Sequence, residues 1–192
     1  MEKPDSSDIL RELSTIGAGN AAGALSKMIG KIVYINVPSA HWITIEEVTQ
    51  AVEVHQPSIS IIVQIDEKRP GYVLLLLEEE DSFSLLRFLM GADVDELGSM
   101  EESALRETGN ILTGTFIGAL SRFLNIEIME RPPLIRLDTV QTLFNEILGE
   151  QKVDERIWIS TIKFAVEGEC SKSYILFIPF SDFERYAVKR LF

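Results

Sequence analysis

The chain has 192 residues, 46% hydrophobic and 25% charged, so it is long enough to bury a core as one domain or as two fused half-domains. A formal net charge of −12 argues against a nucleic-acid backbone or an anionic membrane as partner, because both would repel it. Its single cysteine excludes an intrachain disulfide and a thiolate metal cluster. Together with the lack of a basic-then-apolar leader, this predicts a cytoplasmic protein.

The first half of the chain begins with a long amphipathic helix, because apolar residues recur at helical spacing over residues 8–29. β-branched and aromatic residues then predict antiparallel strands over 31–37, 42–54, 59–64 and 72–77. Turn residues at 38–39, 56–57 and 69–71 separate these strands. A helix over 81–90 and an acidic connector over 91–98 complete this half.

The second half repeats that order with a helix over 101–124 and strands over 125–130, 157–166 and 173–179. It adds a break at 131–133, a helix over 139–148 and a final helix over 182–191. We therefore expect an α/β (α+β) fold in a single domain over 1–192, with half-repeats at 5–92 and 99–192. The strands would form one largely antiparallel sheet, and the two long helices would lie side by side on one face.

Three polar residues and a proline of the first half have counterparts 95 residues later in the second half. The pairs are Asp8 and Ser103, Glu12 and Glu107, Thr15 and Asn110, and Pro38 and Pro133 (103−8, 107−12, 110−15, 133−38). The first three positions of each set are spaced i, i+4 and i+7, so they form one stripe along a helix face. A single such stripe is usually solvated surface, but its recurrence in two divergent halves favours a site. The copies differ at the third position, a hydroxyl in one and a carboxamide in the other.

Glycines extend both stripes, although each costs about 1 kcal/mol in a helix interior. They are Gly19 and Gly23 in the first half and Gly114 and Gly118 in the second. Two interpretations stay open: close contact between the two helices, or room for a partner protein.

The histidines and the cysteine are weaker candidates for a functional site. His41 and His55 fall at the two ends of the strand predicted over 42–54, with no cysteine or paired histidine nearby, so we predict no metal site. Cys170 falls in a predicted turn over residues 168–171 and is interpreted as a plain surface thiol.

The spacing Asp/Ser-x3-Glu-x2-Asn-x22-Pro resembles the motif of the CheC/CheX/FliY phosphatases of chemotaxis. Ser103, Glu107, Asn110 and Pro133 match it completely, whereas the first copy has Thr15 where the family has Asn. The likeness covers nearly the whole chain. Because both halves are present without a third domain, the chain resembles the CheC branch most.

This resemblance implies hydrolysis of the aspartyl phosphate on the response regulator CheY. It implies that Asn110 orients the attacking water and that Glu107 docks the receiver domain through its active-site lysine. Glu12 and Thr15 would form a second, weaker site, and Asp8, Ser103, Pro38 and Pro133 would support the two motifs. The chain would act as a monomer with no cofactor of its own, using Mg²⁺ bound by the receiver.

A second function class stays open, because CheC-like proteins also pair with the receptor deamidase CheD. In this alternative the chain is mainly a non-catalytic binding module that regulates CheD. Asp138 falls where that family places its CheD-facing surface.

Overall fold

The computed structural model describes residues 6–44, 47–48, 58–65, 71–149, 156–166, 169–179 and 183. Its helices are α1 (Ser6–Ile29), α2 (Glu79–Met90), α3 (Ser99–Leu124) and α4 (Val140–Gly149). Its strands are β1 (Val33–Thr44), β2 (Ser58–Ile65), β3 (Gly71–Leu77), β4 (Leu134–Asp138), β5 (Arg156–Val166) and β6 (Glu169–Ile178). No helix in these ranges is long and apolar enough to cross a membrane.

The six strands form one antiparallel sheet in the order β1-β5-β6-β3-β2-β4. Strand β1 from the first half pairs with β5 from the second, and β4 from the second half pairs with β2 from the first. Each half thus gives its first strand to the hairpin of the other half. The mixed α/β fold with a largely antiparallel sheet is confirmed.

The central strand β3 is buried on both faces of the sheet, which explains why it is apolar at every position from Val73 to Leu77. In β3, Val73, Leu75 and Leu77 face the core beneath the long helices, and Leu74 and Leu76 face the core beneath α4. The two long helices and α4 therefore lie on opposite faces.

The duplication extends to the ends of the long helices. Helix α1 is followed by Gly30 at φ +69°, and α3 is followed by Asn125 at φ 52°, again 95 positions apart (125−30). Their backbone N–H groups donate to the carbonyls of Ser26 and Ser121. Glycine and asparagine are the residues that adopt this left-handed conformation most readily, so both helices end for the same local reason.

Helices α1 and α3 lie side by side and antiparallel. A Cβ added to Gly17 would lie 3.2 Å from the Cα of Phe116, so the two backbones approach closely there. The N-terminal half of α1 meets the last two turns of α3, since Ile9 and Leu13 line the same groove as Ala119. The side-by-side arrangement of the long helices is confirmed.

The glycines of the two stripes do not make this contact. A Cβ on Gly19 or Gly23 would have no atom within 4 Å outside its own backbone surroundings. Gly114 and Gly118 instead face Glu130 and Arg122 of their own half. The helix-contact interpretation of these four glycines is wrong, because Gly17 fills that role.

The two helices rest on the sheet in different ways at equivalent positions. On α1, Ser14 Oγ lies 2.9 Å from Ser160 Oγ of β5, and Trp158 Nε1 donates to both hydroxyl oxygens. On α3 the matching residue is Gly109 (109−14 = 95), which lies directly over Ile61 of β2. A buried polar contact in one half is therefore replaced by close backbone packing in the other.

Two predictions about local structure between α1 and α4 are wrong, and one strand was missed. Pro38 and Ser39 do not form a turn, because β1 runs through them with a bulge between Asn36 and Ser39. Residues 125–130 are not a strand: they follow the end of α3, and only Glu130 forms an isolated bridge, to Ile65. Strand β4 was not predicted at all.

Two further predictions need correction. The strand expected over 42–54 ends at Thr44, and residues 47–48 are helical. Cys170 lies in strand β6 opposite Ala165, not in a turn. His55 and, apart from Phe183, the helix expected over 182–191 lie outside the described residues.

Gly109 provides a test of the packing of α3. A Cβ at this position would lie 2.5 Å from Ile61 Cγ2, so Gly109→Ala should lower the free energy of unfolding by about 1–3 kcal/mol through overpacking. Gly19→Ala, at an open helix position, should instead raise it by up to about 1 kcal/mol. Denaturant unfolding of both variants measures the difference, and equal effects would contradict the packing described here.

Candidate functional site

The polar residues of both stripes lie on the solvent face of the helix pair. The motif side chains on α1 and α3 are all exposed: Asp8, Glu12, Thr15, Ser103, Glu107 and Asn110. Because α1 and α3 are antiparallel, the stripes run in opposite directions. Gly17 lies opposite Phe116, so Thr15 lies opposite Gly118, eight residues or roughly 12 Å of helix beyond Asn110. The molecule therefore has two separate candidate sites.

The second site is the chemically complete one. Glu107 and Asn110 are exposed, and within the described part of the chain neither side chain has a hydrogen bond or an ion pair. Spaced three residues apart, they point to the same side of α3. A carboxylate and a carboxamide, which is both donor and acceptor, are thus presented together to a partner.

The first site differs in the state of its third side chain. Thr15 Oγ1 donates its hydrogen to the Arg11 carbonyl oxygen at 3.0 Å, one turn earlier in α1. The hydroxyl then offers only lone pairs to solvent, whereas Asn110 offers both an oxygen and an NH₂ group. The first site keeps an exposed carboxylate, Glu12, but lacks the amide.

An arginine next to each motif glutamate ties its helix to the following strand. Arg106 Nη1 donates to the Pro133 carbonyl oxygen at 2.7 Å, and its Nη2 pairs with Glu102 at 3.0 Å. In the first half Arg11 Nη2 donates to the Ala40 carbonyl oxygen at 3.4 Å. Pro133 is buried and Pro38 is exposed, so the two prolines differ in environment. Neither Arg11 nor Arg106 was predicted as a site residue, although the two also recur at the 95-residue offset (106−11).

A groove runs beside the first site, between α1 and α3. Apolar side chains of Ile9, Leu13, Ile16 and Phe123 line it, and Glu12 and Arg122 lie at its rim. Ile16 is 43% exposed, which is unusual for a large apolar side chain. The groove places an apolar surface next to the exposed glutamate.

A carboxylate lies beside the second site. The Glu130 carboxylate oxygens are 3.8 and 3.9 Å from the Cβ position of Gly114, one turn after Asn110. Glu130 is an exposed residue, but partial desolvation of its carboxyl group raises the pKa of Glu130. Sequence reasoning missed Glu130 because the first half has Ile35 at the matching position (130−95), so the duplication gave no signal.

The remaining predicted residues do not join either site. His41 is exposed on β1, and in the described ranges no three His, Cys, Asp or Glu residues cluster as metal ligands would. Asp138 ends β4, where its Oδ1 accepts from the Thr139 N–H at 2.7 Å just before α4. Its assignment to a CheD-facing surface stays a prediction.

The two segments that match a known protein family contain the motif helices α1 and α3. A sequence model of the CheC-like family matches residues 6–41 and 100–135, which are α1 and α3 with the segments after them. CheY-P phosphatase CheC of Bacillus subtilis (strain 168) is 27% identical over 97% of this chain and 94% of its own length. Flagellar motor switch phosphatase FliY of the same strain is 28% identical over 88% of this chain but 44% of its own length.

The fold is shared over the full length with a crystal structure of Thermotoga maritima FliY. The two superpose with a TM-score of 0.77 at 22% identity, covering 99% of each chain. The likeness extends through the whole sheet as well as the two matched segments. The chain thus carries two copies of the matched segment on one shared fold, and it is similar to the CheC-like family in each of its halves.

Proposed function

We propose that this chain is a phosphatase that hydrolyses the aspartyl phosphate of the response regulator CheY. One observation carries the proposal: Glu107 and Asn110 stand exposed on one face of α3 with no side-chain partner among the described residues. The names of two relatives, a CheY-P phosphatase and a flagellar motor switch phosphatase, support the same activity. The protein would act in the cytoplasm as a monomer.

The residue types suit the chemistry of an acyl phosphate. This bond is already activated, and the receiver domain supplies Mg²⁺ and the groups that hold the phosphoryl oxygens, so a partner has only to position water in line. Water oxygen bonds to phosphorus while the bond to the aspartyl oxygen breaks, and the water protons leave on inorganic phosphate and solvent. The Asn110 carbonyl oxygen accepts a hydrogen bond from that water, and its NH₂ group faces the receiver.

Glu107 has a docking role in this proposal. By family analogy it forms an ion pair with the active-site lysine of the receiver, which sets the approach of Asn110 one turn away on α3. An exposed carboxylate with no internal partner is available for such a pair. Glu12 offers the same contact at the first site, where the amide is replaced by Thr15.

Removing the amide tests the complete site. Asn110→Ala should lower the rate of CheY-P dephosphorylation on the order of 10²-fold while binding survives, because one positioned polar group contributes about that much. Glu107→Ala should weaken both binding and turnover. Loss of the phosphoryl group from CheY measures turnover, and titration with beryllofluoride-activated CheY, in which beryllium fluoride stands in for the phosphoryl group, measures binding.

Asn20→Ala is the matched control, because Asn20 is an exposed asparagine of α1 outside the stripes. Full activity is expected for it. Unchanged turnover in Asn110→Ala would show that this residue does not orient the water. A parent protein that binds CheY-P without accelerating phosphate loss would instead be a binding module.

Substitutions of Thr15 test the first site separately. We expect Thr15→Ala to change the turnover of CheY-P little. Thr15→Asn should roughly double that turnover, because it adds a second carboxamide to an otherwise similar site. Both variants are expected to fold normally, since position 15 is exposed. The same dephosphorylation assay, with circular dichroism as a check of the fold, measures the effect. A large loss in Thr15→Ala with Asn110 intact would make α1 the main active helix.

A further inference from the structure

The segment that follows α3 is held firmly alongside that helix. Arg131 N–H donates to the Gln64 carbonyl oxygen at 2.9 Å, and Glu130 forms a β-bridge with Ile65. Two residues later, the Pro133 carbonyl oxygen accepts the hydrogen bond from Arg106. Main-chain contacts to both the sheet and the helix therefore fix the backbone position of Glu130.

From this position the Glu130 side chain reaches the second stripe. Its carboxylate oxygens lie 3.8 and 3.9 Å from where a Gly114 Cβ would be, a van der Waals distance, so the carboxylate lies against α3 at that turn. Gly114 is one turn after Asn110, and Glu107 is about one turn before it. Asn110 is thus flanked by a carboxylate on each side along the face of α3.

The charge on Glu130 is uncompensated in the free protein. Its carboxylate has no hydrogen bond or ion pair with any other residue, as far as the described chain is concerned. Partial desolvation disfavours its charged form and raises the pKa of Glu130. A cation supplied by a docking partner would relieve this cost, because an opposite charge at close range favours ionisation.

Among the residues that the structure describes, the first site has no equivalent carboxylate. The position that matches Glu130 is Ile35, a partly buried apolar residue, and Gly19, which matches Gly114, has open space where a Cβ would be. The two sites therefore differ in charge beside the stripe as well as in the exchange of Thr15 for Asn110.

We infer that Glu130 is a further docking residue of the second site, which pairs with a lysine or arginine at the rim of the receiver's phosphorylation site. This inference rests on the proposed function and adds a specificity determinant to it. A receiver with a cationic side chain at that rim position binds the second site in preference to the first. Glu130 acts on the affinity and orientation of the receiver, and the water remains with Asn110.

Kinetics with Glu130→Gln test the inference. This isosteric change removes the charge, so the KM for CheY-P should rise about 2- to 5-fold with kcat within about twofold, the range expected for one solvent-accessible ion pair. The KM should also depend less on salt concentration than in the parent. Glu127→Gln is the control, because Glu127 is an exposed carboxylate three residues earlier that does not reach the stripe.

The outcomes separate this inference from the proposed function. An active parent in which Glu130→Gln and Glu127→Gln behave alike would refute the docking role and leave the proposed function standing. A fall in kcat at constant KM would also refute it, since it would place Glu130 in the chemical step. A parent without any phosphatase activity would refute the proposed function and this inference with it.

Stability provides a second measurement that needs no partner. Because the native pKa of Glu130 is raised, the native state holds this proton to higher pH than the unfolded chain, so parent stability falls as pH rises through that range. Glu130→Gln lacks this loss, and its Tm advantage should grow between pH 4 and pH 7. A parent more stable than Glu130→Gln at pH 7 would show that the carboxylate already has a stabilising partner and would overturn the inference.

Discussion

The pairing of each half's first strand with the other half's hairpin is the constraint on which this structure depends. Strand β1 completes the edge beside β5, and β4 completes the edge beside β2, so neither half has its sheet without the other. Helices α1 and α3, which precede these two strands, are thereby carried across the same face in opposite directions. Their close approach at Gly17 and Phe116 follows from that arrangement.

Within this symmetric frame the two sites have diverged through a few side chains. The helix caps, the arginine contacts and the exposed glutamates are kept in both halves. Two differences lie at the sites, Thr15 against Asn110 and Ile35 against Glu130, and a third, Ser14 against Gly109, lies where the helices rest on the sheet. A shared backbone thus presents a polar surface with an extra carboxylate at one end of the helix pair. At the other end it presents a hydroxyl beside an apolar groove.

Periodicity and the internal repeat predicted the long helices, the central strands and the exposure of Glu107 and Asn110, because these depend on local pattern and on burial. The Pro38 error arose because an edge strand tolerates proline at a bulge, where no ladder hydrogen bond is needed. Strand β4 has only five residues and no clean alternation, so pairing with β2 decides its conformation. The Glu130 contact depends on a non-repeated residue reaching another element, which no spacing rule encodes.

The interleaved sheet also bears on how the chain acquires its structure during synthesis. Residues emerge from the ribosome in order, and β1 can gain its neighbour only after residues 45–155 have been made and β5 follows. Until then the hairpin of β2 and β3 has both of its sheet neighbours missing, since β4 and β6 are also encoded later. Its strands are among the most apolar in the protein. A nascent chain of this topology therefore keeps apolar strands with unpaired edges from the synthesis of β3 until β6 has been made, and aggregation is the main hazard of that interval.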